Sequence, residues 1–489
     1  MQDTSETFGV HGTGGGSPAI CHVPDQPLTP VGKRIVLFIA LLAGFLTPFD
    51  ASAVNIALPT IGTEFHMDDI TLTWVATAYL LSSVLFLVPF GKIADIYGRK
   101  KIFLSGIAIF ATASFIMTMV PSPGILVAVR VMQGVGASMI FGTTVAILTS
   151  VYSPGERGRA LGIYITAVYL GLTVGPFVGG TLTEFLGWRA IFYINIPIAV
   201  AAILLVLWKL GGDWAECRGE RFDLSGSILY GISLIAIMYG FSEIPSTFAY
   251  TLILGGIILA VVFVRFEQRR QHPVLNMRLF SESRVFTFSS IAALINYSAT
   301  YAVSFVLSLD LQYTKGFSPE YAGIILVAAP LFQAAVSPVA GRLSDRFDAG
   351  IIASAGMAIS ALGLFLLIFL SETTSLLYIV VSLAVLGLGF GIFSSPNTNA
   401  IMSAVEKRYY GVASGIVGTM RLLGQLLSMG IATMVFALVI GRVEITPEYY
   451  PAFITSVHDI FILFTVLCII GIYASLIRGN GKRRGSGPG

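Results

Sequence analysis

The sequence has few charged residues and very few cysteines. Only 11% of its 489 residues are Asp, Glu, Lys or Arg, whereas soluble domains carry about 25%. Because so few charges cannot cover a surface that faces water, the composition excludes an ordinary soluble protein and predicts lipid as the main solvent. The three cysteines have no CxxC spacing and no cluster of histidines beside them, so we expect neither disulfide bonds nor a metal site.

The sequence also lacks the common signatures of enzymes. It has no Walker loop, no nucleophile elbow and no HExxH motif, so nucleotide, ester and zinc-dependent hydrolysis have no support. A non-transporting sensor would need a sizeable soluble output domain, and the loops between the apolar segments are too short for one. We expect a protein that is not an enzyme, uses no cofactor and binds no nucleic acid.

Apolar sequence is abundant instead. Hydrophobic residues make up 55% of the chain, and the mean hydropathy is +0.84. A helix that spans a membrane needs about 20 mostly apolar residues. The chain contains fourteen such runs, at 34–58, 71–91, 101–120, 124–150, 160–183, 189–209, 223–242, 247–266, 285–312, 321–341, 350–370, 375–400, 412–438 and 454–477.

The positions of the basic residues support an even number of spans. With a cytoplasmic N-terminus, 24 of the 29 Lys and Arg fall in the tails or in the loops after even-numbered spans, as cytoplasmic segments require. Segment 1–30 is polar and glycine-rich and lacks the features of a signal peptide. We therefore predict cytoplasmic tails at 1–30, which we expect to be disordered, and at 478–489.

An internal repeat predicts two similar halves. Gly91-Lys-Ile-Ala-Asp95 follows the second span, and Gly341-Arg-Leu-Ser-Asp345 follows the tenth, 250 residues later. Segments 158–162 and 411–415 repeat a Gly-x-Ala-x-Gly-like pattern at an offset of 253 residues. Parallel repeats around a site near the membrane midplane occur in secondary transporters. We predict an all-α membrane protein with six-helix bundles at 31–210 and 285–477 and two additional helices at 211–284.

The segment between the second and third spans resembles the signature loop of the major facilitator superfamily, G-x-L-x-D-R-x-G-R-R/K. It departs from this pattern at Ile96, where the family usually has Arg. The resemblance implies the major facilitator fold and a cytoplasmic gate with ion pairs that break between states; the alternative is that the charges only set the topology. The predicted gate residues are Gly91, Asp95, Gly98, Arg99, Lys100, Gly341, Asp345 and Arg346.

The fifth span is similar to the antiporter motif of drug:proton exchangers. Gly171, Gly175 and Gly179 share one helical face, which favours close packing of a neighbouring helix, and Pro176 permits a bend. The resemblance implies proton-driven export, with ordinary close packing as the alternative. The predicted motif residues are Gly162, Gly171, Gly175, Pro176, Gly179 and Gly180.

Asp50 lies well inside the first span, with no Lys or Arg next to it. Acids within the membrane usually face a cavity and handle protons or cations, and burial disfavours their charged form. The surrounding segment 49–59 resembles L-D-x-T-I-V-N-x-A-L-P of fourteen-span drug:proton antiporters. We predict that Asp50 is the main proton site; the alternative is a structural acid bonded to backbone or to Asn55.

Other polar residues within spans are also candidates. Arg130 and Gln133 share a face of the fourth span and resemble an arginine motif implicated in proton handling, although Arg130 could instead snorkel to the external surface. Asp310 is either a second acidic site or a hydrated acid near the external end of the ninth span. For Arg421 in the thirteenth span, a structural snorkelling role is preferred over pairing with an acid.

The segment 187–197, at the start of the sixth span, also resembles the fourteen-span family. Its predicted role is to anchor the helix at the membrane interface through Trp188 and Arg189. In total the resemblance to the fourteen-span drug:proton antiporters covers residues 34–477.

The expected function is export of amphipathic, cationic or neutral drug-like compounds in exchange for protons, by alternating access and without a cofactor. The alternatives are a proton-coupled exporter of one metabolite, a proton symporter, and a sensor or membrane enzyme. We expect a monomer in a prokaryotic plasma membrane. The predicted proton-coupling residues are Asp50, Arg130 and Asp310, and the predicted cavity residues are Asp50, Asn55, Gln133 and Asp310.

Overall fold

The computed structural model describes residues 29–210, 222–270, 280–281, 283–344, 346–405 and 410–478. In these residues the regular structure is helical and contains no strand. Fourteen of the described segments are long and apolar enough to cross a membrane. The predicted all-α fold and the predicted number of spans are confirmed. The tail residues 1–28 and 479–489 lie outside the described residues.

The spanning segments are labelled α1 to α14 in chain order. The first six are α1 (Pro30–Phe65), α2 (Asp69–Tyr97), α3 (Arg99–Met117), α4 (Pro123–Val151), α5 (Pro154–Leu186) and α6 (Arg189–Lys209). The next two are α7 (Leu224–Ser242) and α8 (Thr247–Glu267). The last six are α9 (Arg284–Thr314), α10 (Pro319–Ser344), α11 (Ala349–Leu367), α12 (Leu376–Ser403), α13 (Tyr410–Val439) and α14 (Pro447–Ile477).

Capping residues extend several helices beyond their apolar runs. The first span was predicted at 34–58, but α1 begins after Thr29, whose hydroxyl accepts a hydrogen bond from the Gly32 amide at 3.2 Å. It ends at His66, which adopts a left-handed conformation with φ of 48°. Asp68 then caps α2 by accepting from the Thr71 amide at 2.9 Å. These caps satisfy end amides, so hydropathy alone underestimates the helix lengths.

The ninth span is interrupted rather than continuous. It consists of Arg284–Thr300, Val303–Leu309 and a π-helical turn at Asp310–Thr314. The amide of Ala302, at the first interruption, donates to Oγ of Ser428 in α13 at 3.0 Å. Irregular backbone within a membrane protein is tolerated where it is buried in protein or lines a cavity. We therefore expect the interruption of α9 to be buried or to line a cavity.

The helices form two bundles, α1–α6 and α9–α14, with α7 and α8 packed beside them. Helix α7 lies across the boundary between the bundles. The hydroxyl of Tyr230 donates to the carbonyl of Val84 in α2 at 3.3 Å, while Met238 lies against Gly430 of α13. Helix α8 packs on α7, where Gly240 and Gly256 allow close approach. The two additional helices therefore contact both bundles through α7.

The two bundles are sealed together on one side. We call the side where α1 begins and α14 ends the terminal face, and the opposite side the far face. Bonds between the bundles near the far face are Thr433 Oγ1 to Thr73 Oγ1 at 3.1 Å, Asp69 N to Val443 O at 3.1 Å, Gln312 Nε2 to Ile56 O at 2.9 Å and Tyr313 Oη to Pro59 O at 3.2 Å. These contacts close the far face.

The boundary between the bundles is looser toward the terminal face. Gly162 of α5 and Gly418 of α13 lie on the same helix faces as residues of the central cavity described below. A Cβ added at either position would meet no atom within 4 Å. The structure is thus closed at the far face, and Gly162 and Gly418 have free space beside them toward the terminal face.

Candidate functional site

A central cavity lies between the two bundles, about halfway along the helices. It contains about 960 Å³ of space not filled by protein atoms, part of it open to solvent. The lining residues come from α1 (Ser52, Asn55, Ile56), α5 (Tyr169, Leu172, Pro176), α9 (Tyr297, Thr300, Tyr301, Val303, Ser304), α10 (Ala329, Pro330, Gln333), α12 (Leu383, Leu386, Gly387, Phe390) and α13 (Arg421, Gln425).

Aromatic rings form much of the cavity wall. The rings of Tyr297 and Phe390 meet edge to face, with centroids 5.3 Å apart. The hydroxyl of Tyr169 is 3.0 Å from Oγ of Ser394 in α12, a contact that crosses between the bundles. Tyr301 lies at the interruption of α9. Such walls bind apolar, flat ligands while offering hydroxyl groups for orientation.

The lining residue that carries a charge is Arg421, alone among the described residues that form the wall. Its guanidinium lies 6.0 Å from the centroid of the Tyr297 ring. Its buried Nε makes no hydrogen bond, and neither does the buried Nε2 of Gln333 across the wall. The cavity wall therefore carries a positive charge, and two buried nitrogens of the wall lack hydrogen-bond partners. Sequence reasoning preferred a structural role for Arg421, because one helix sequence does not tell which face turns toward a cavity.

A buried ion pair lies inside the first bundle, next to the cavity. Nη1 of Arg130 in α4 is 2.7 Å from Oδ2 of Asp50 in α1. The side chains are 1% and 0% exposed, respectively. Nε of Arg130 donates to the Val75 carbonyl at 3.0 Å, and its guanidinium lies 4.3 Å from the centroid of the Tyr79 ring. Arg130 is therefore held by α1, α2 and α4, and it does not snorkel to the surface.

Two side-chain amides complete the ion pair. Gln133 donates to Oδ1 of Asp50 at 3.0 Å and accepts from Arg130 at 2.5 Å. Asn195 of α6 donates to the same Oδ1 at 2.7 Å. Three side-chain donors, from Arg130, Gln133 and Asn195, thus converge on the Asp50 carboxylate. Asn195 was missed as a site residue, although a lone Asn in the apolar run 191–199 was a visible signal.

Tyr301 lies between the ion pair and the cavity. It lines the cavity, it is close to Asn55, and it lies within electrostatic range of Asp50, Arg130 and Arg421. Tyr79, whose ring lies against the Arg130 guanidinium, donates to the Thr47 carbonyl at 3.4 Å. A short polar route thus leads from the first bundle into the cavity wall contributed by the second.

The glycines of α5 pack two different surfaces. A Cβ at Gly171 would lie 2.6 Å from the Phe45 carbonyl oxygen of α1, and one at Gly179 would lie 2.7 Å from Cα of Ala53; Gly175 meets Ser52 in the same way. These three positions pack α5 on α1 within the first bundle. Gly180 instead meets Pro319 of α10 in the other bundle, Pro176 lines the cavity, and Gly162 faces open space.

The loop after α2 holds the terminal face of the first bundle together. Nη2 of Arg99 is 2.7 Å from Oδ1 of Asp95, and Arg99 also bonds the Ala146 carbonyl at 3.3 Å and Ser150 of α4. Lys100 bonds the Leu210 carbonyl at the end of α6. Gly98, with φ of 119°, makes the one-residue turn between α2 and α3.

The close approach of α2 and α4 near Gly91 depends on Gly142 of α4. A Cβ at Gly91 would meet nothing within 4 Å, whereas one at Gly142 would lie 3.6 Å from Cα of Gly91. In the repeat, a Cβ at Gly341 would lie 2.7 Å from Oγ of Ser395 in α12, and Arg346 is exposed. Asp345 lies outside the described residues.

Comparison with known proteins decides the family. Residues 40–220 and 289–488 match the sequence model of the Major Facilitator Superfamily. The chain belongs to the major facilitator superfamily. It is a membrane transporter and not an enzyme, which confirms both expectations.

Curated relatives cover most of this transporter. It is 31% identical over 443 residues to the riboflavin transporter RibZ of Clostridioides difficile, covering 90% of this chain and 96% of that protein. It is 31% identical to the multidrug resistance protein Stp of Mycobacterium tuberculosis, over 84% of this chain and 76% of that protein. It is 32% identical to the cephamycin export protein CmcT of Amycolatopsis lactamdurans, covering 79% and 82%.

Solved structures share the fold at low identity. A mutant of the peptide transporter POT, in complex with alafosfalin, superimposes with a TM-score of 0.69 at 14% identity, over 92% of this chain and 95% of that one. An inward-facing bacterial homologue of the lysosomal transporter Spinster gives 0.64 at 18% identity, over 92% and 97%.

The predicted cavity residues of this transporter divide between two places. Asn55 lines the cavity, but Asp50 and Gln133 lie within the first bundle, outside the cavity wall. The reason is helical geometry: Ser52, Asn55 and Ile56 turn toward the second bundle, while Asp50 turns toward α4 and α6. The cavity therefore lacks the acid on which the expectation of cationic substrates rested.

Asp310 is also outside the cavity wall. It begins the π-helical turn of α9 and is 4% exposed, so it is not a hydrated surface acid. Its Oδ2 makes no hydrogen bond with a described residue. The structure does not bring Asp310 together with the Asp50–Arg130 pair, and the two acids are buried in different bundles.

Proposed function

We propose that this transporter exports amphipathic, drug-like compounds from the cytoplasm in exchange for protons, by alternating access. The observation that carries the proposal is the central cavity, which is closed at the far face and lies beside the buried Asp50–Arg130 pair. The terminal face carries most of the basic residues, which supports its assignment to the cytoplasm. The structure then corresponds to the state that loads substrate from inside.

Alternating access requires contacts that one state has and the other loses. The far-face contacts between α5 and α10, and between α2 and α13, are the contacts that would open for release. Rocking of two parallel halves around a central site is the usual motion of such folds. The loose boundary near Gly162 and Gly418 would close at the same time.

Proton coupling is assigned to Asp50. In the far-face-closed state the carboxylate is sealed and held by Arg130, Gln133 and Asn195. When the far face opens, a proton from outside neutralises Asp50 and weakens its bond to Arg130. Return to the present state restores the pair and releases the proton to the cytoplasm. One charge moving through about 100 mV supplies roughly 2.3 kcal/mol for this cycle.

Export of a single metabolite is the second candidate function. The relative that matches 90% of this chain is named a riboflavin transporter, while others are named multidrug resistance proteins. The fold and coupling would be the same in either case. A broad set of aromatic compounds would be transported by a multidrug exporter, whereas a metabolite exporter would transport one.

The test uses purified protein in liposomes that contain a pH-sensitive dye. In wild type, an imposed pH gradient should drive an aromatic substrate across the membrane in the direction opposite to the proton flux, and Asp50→Asn should abolish the proton flux. Glu64→Gln is the matched control, since Glu64 is an acid of the same helix that pairs with Arg189 near the far face. Proton flux that persists in folded Asp50→Asn would eliminate Asp50 as the coupling site. Transport without proton flux in wild type would overturn proton antiport itself.

A further inference from the structure

We infer that the central cavity recognises anionic aromatic compounds, with Arg421 binding the anionic group and the aromatic wall binding the rings. This inference deepens the proposed function by naming the chemical class of its substrate. It differs from the expectation of cationic compounds, which assumed that an acid faces the cavity.

The charge balance of the site carries the inference. Arg421 is the charged residue of the described wall, and no described carboxylate forms an ion pair with it. The adjacent Asp50 does not offset its charge, because Asp50 is already paired with Arg130 at 2.7 Å. A cation in this position would be repelled. An anion would complete a pairing that a partly buried guanidinium otherwise lacks.

Free donors define the group that is bound. Nε of Arg421 and Nε2 of Gln333 are buried without a hydrogen-bond partner. Buried donors normally have partners, and those without one in a native structure call for an explanation. Both are donors, so both require an acceptor. A carboxylate is the acceptor that guanidinium groups bind best, through two parallel hydrogen bonds.

The rest of the wall defines the body of the ligand. The rings of Tyr297 and Phe390 meet edge to face at 5.3 Å, and Tyr169 and Tyr301 also line the cavity. Arg421 lies over one of these rings, 6.0 Å from the Tyr297 centroid. A compound that extends from Arg421 would therefore contact aromatic surface at once. Flat aromatic rings bearing one carboxylate or similar anionic acceptor match this combination.

The test compares two dyes that share a three-ring core but differ in charge, the anionic fluorescein and the cationic rhodamine 123. Binding to purified transporter is measured by fluorescence anisotropy at one fixed pH, without any gradient. Wild type should bind fluorescein more tightly than rhodamine 123. Arg421→Gln should weaken fluorescein binding by about tenfold or more, as expected for loss of a charged hydrogen bond, and Arg421→Lys should retain part of it.

Two further variants make the result specific. Arg442→Gln is the matched control, because Arg442 follows the same helix α13 but is 55% exposed and pairs with Glu243 outside the cavity. It should bind both dyes as wild type does. Gln333→Glu places an acid in the wall and should reverse the preference in favour of rhodamine 123.

The outcomes separate this inference from the proposed function. Three outcomes would overturn the inference. Wild type could bind rhodamine 123 as tightly as fluorescein or more tightly, folded Arg421→Gln could bind fluorescein as wild type does, or wild type could bind neither dye. Liposomes that export rhodamine 123 with proton flux, from a protein that does not bind fluorescein, would leave the proposed function intact. Arg421-dependent fluorescein binding without transport of fluorescein or protons would support the inference and overturn the proposed function.

Discussion

Gly180 of α5 and Gly323 of α10 face each other across the boundary between the bundles. A Cβ added at Gly323 would lie 3.5 Å from Cα of Gly180 and would overlap the Pro176 carbonyl oxygen. A Cβ added at Gly180 would overlap the backbone of Pro319 in the same way. The two glycines thus permit direct backbone contact between the halves at the far face, next to Pro176 of the cavity wall.

Replacing Gly180 by Ala should therefore favour the state that is open at the far face. Overpacking a tight contact costs about 1–3 kcal/mol, which shifts an equilibrium between states roughly five- to a hundredfold. The shift is measurable with Thr433→Cys, a buried far-face position, in a background with the native cysteines replaced by serine. Labelling by a membrane-impermeant maleimide should accelerate. Gly255→Ala, in α8, where an added Cβ would meet no atom within 4 Å, should leave the rate unchanged, and equal rates in both variants would contradict the assignment.

Removal of Arg130 should destabilise the first bundle strongly. Breaking one side of a buried ion pair costs about 3–5 kcal/mol, because the remaining charge is buried without a partner. Arg130→Met should lower the free energy of unfolding, measured by denaturant titration in detergent, by that amount. The double variant Asp50→Asn/Arg130→Met should lose less than the sum of the single changes. Lys33→Gln, which removes a partly exposed ion pair between α1 and α5, should have a far smaller effect, and strict additivity would show that Asp50 and Arg130 are not coupled.

The sequence predicted the number of spans because each is a continuous apolar run, and it predicted Asp50, Arg130 and Gln133 as candidates because each is polar within such a run. It did not predict which way they turn. Asp50 and Asn55 are five residues apart in α1, and α1 contacts both its own bundle and the other one. Only the packing of neighbouring helices decides that Asn55 reaches the cavity while Asp50 meets Asn195.

The same limit explains Arg421 and Asp310. Hydropathy and spacing identify a charge within a helix but not the face on which it lies, so Arg421 was assigned a structural role and Asp310 a cavity role. In the structure Arg421 lines the cavity, whereas Asp310 is buried outside the cavity wall. The interruption of α9 that carries Tyr301 into the wall had no proline or glycine to mark it in the segment 300–303.

Arg478, just after α14, should stabilise the terminal face of the second bundle. It donates to Oγ of Ser289 at 3.0 Å and to Oδ1 of Asn397 at 3.2 Å, and it bonds the Gly350 carbonyl. Burial lowers the pKa of Arg478 to about 10, while the nearby Asp348 raises it, so the side chain remains charged at neutral pH.

Arg478→Ala should therefore lower stability by about 1–3 kcal/mol, because buried acceptors lose their donor. Denaturant titration in detergent measures the effect. Arg442→Ala removes an exposed arginine and is the control. No difference between the two variants would mean that the segment after α14 contributes nothing to the fold.

The charge of the substrate predicts how membrane potential acts on transport. Export of one cation in exchange for one proton moves no net charge, whereas export of one monoanion for one proton moves two positive charges inward. Each charge gains roughly 2.3 kcal/mol per 100 mV, so an inside-negative potential should drive anion export strongly even without a pH gradient.

Liposomes with a potassium gradient and valinomycin provide that potential. Transport of an anionic aromatic compound should accelerate with the potential in wild type, and Asp50→Asn should lose the proton-dependent part of the response. A transport rate that depends only on the pH gradient would indicate an electroneutral exchange. That result is expected if the transported substrate is a cation.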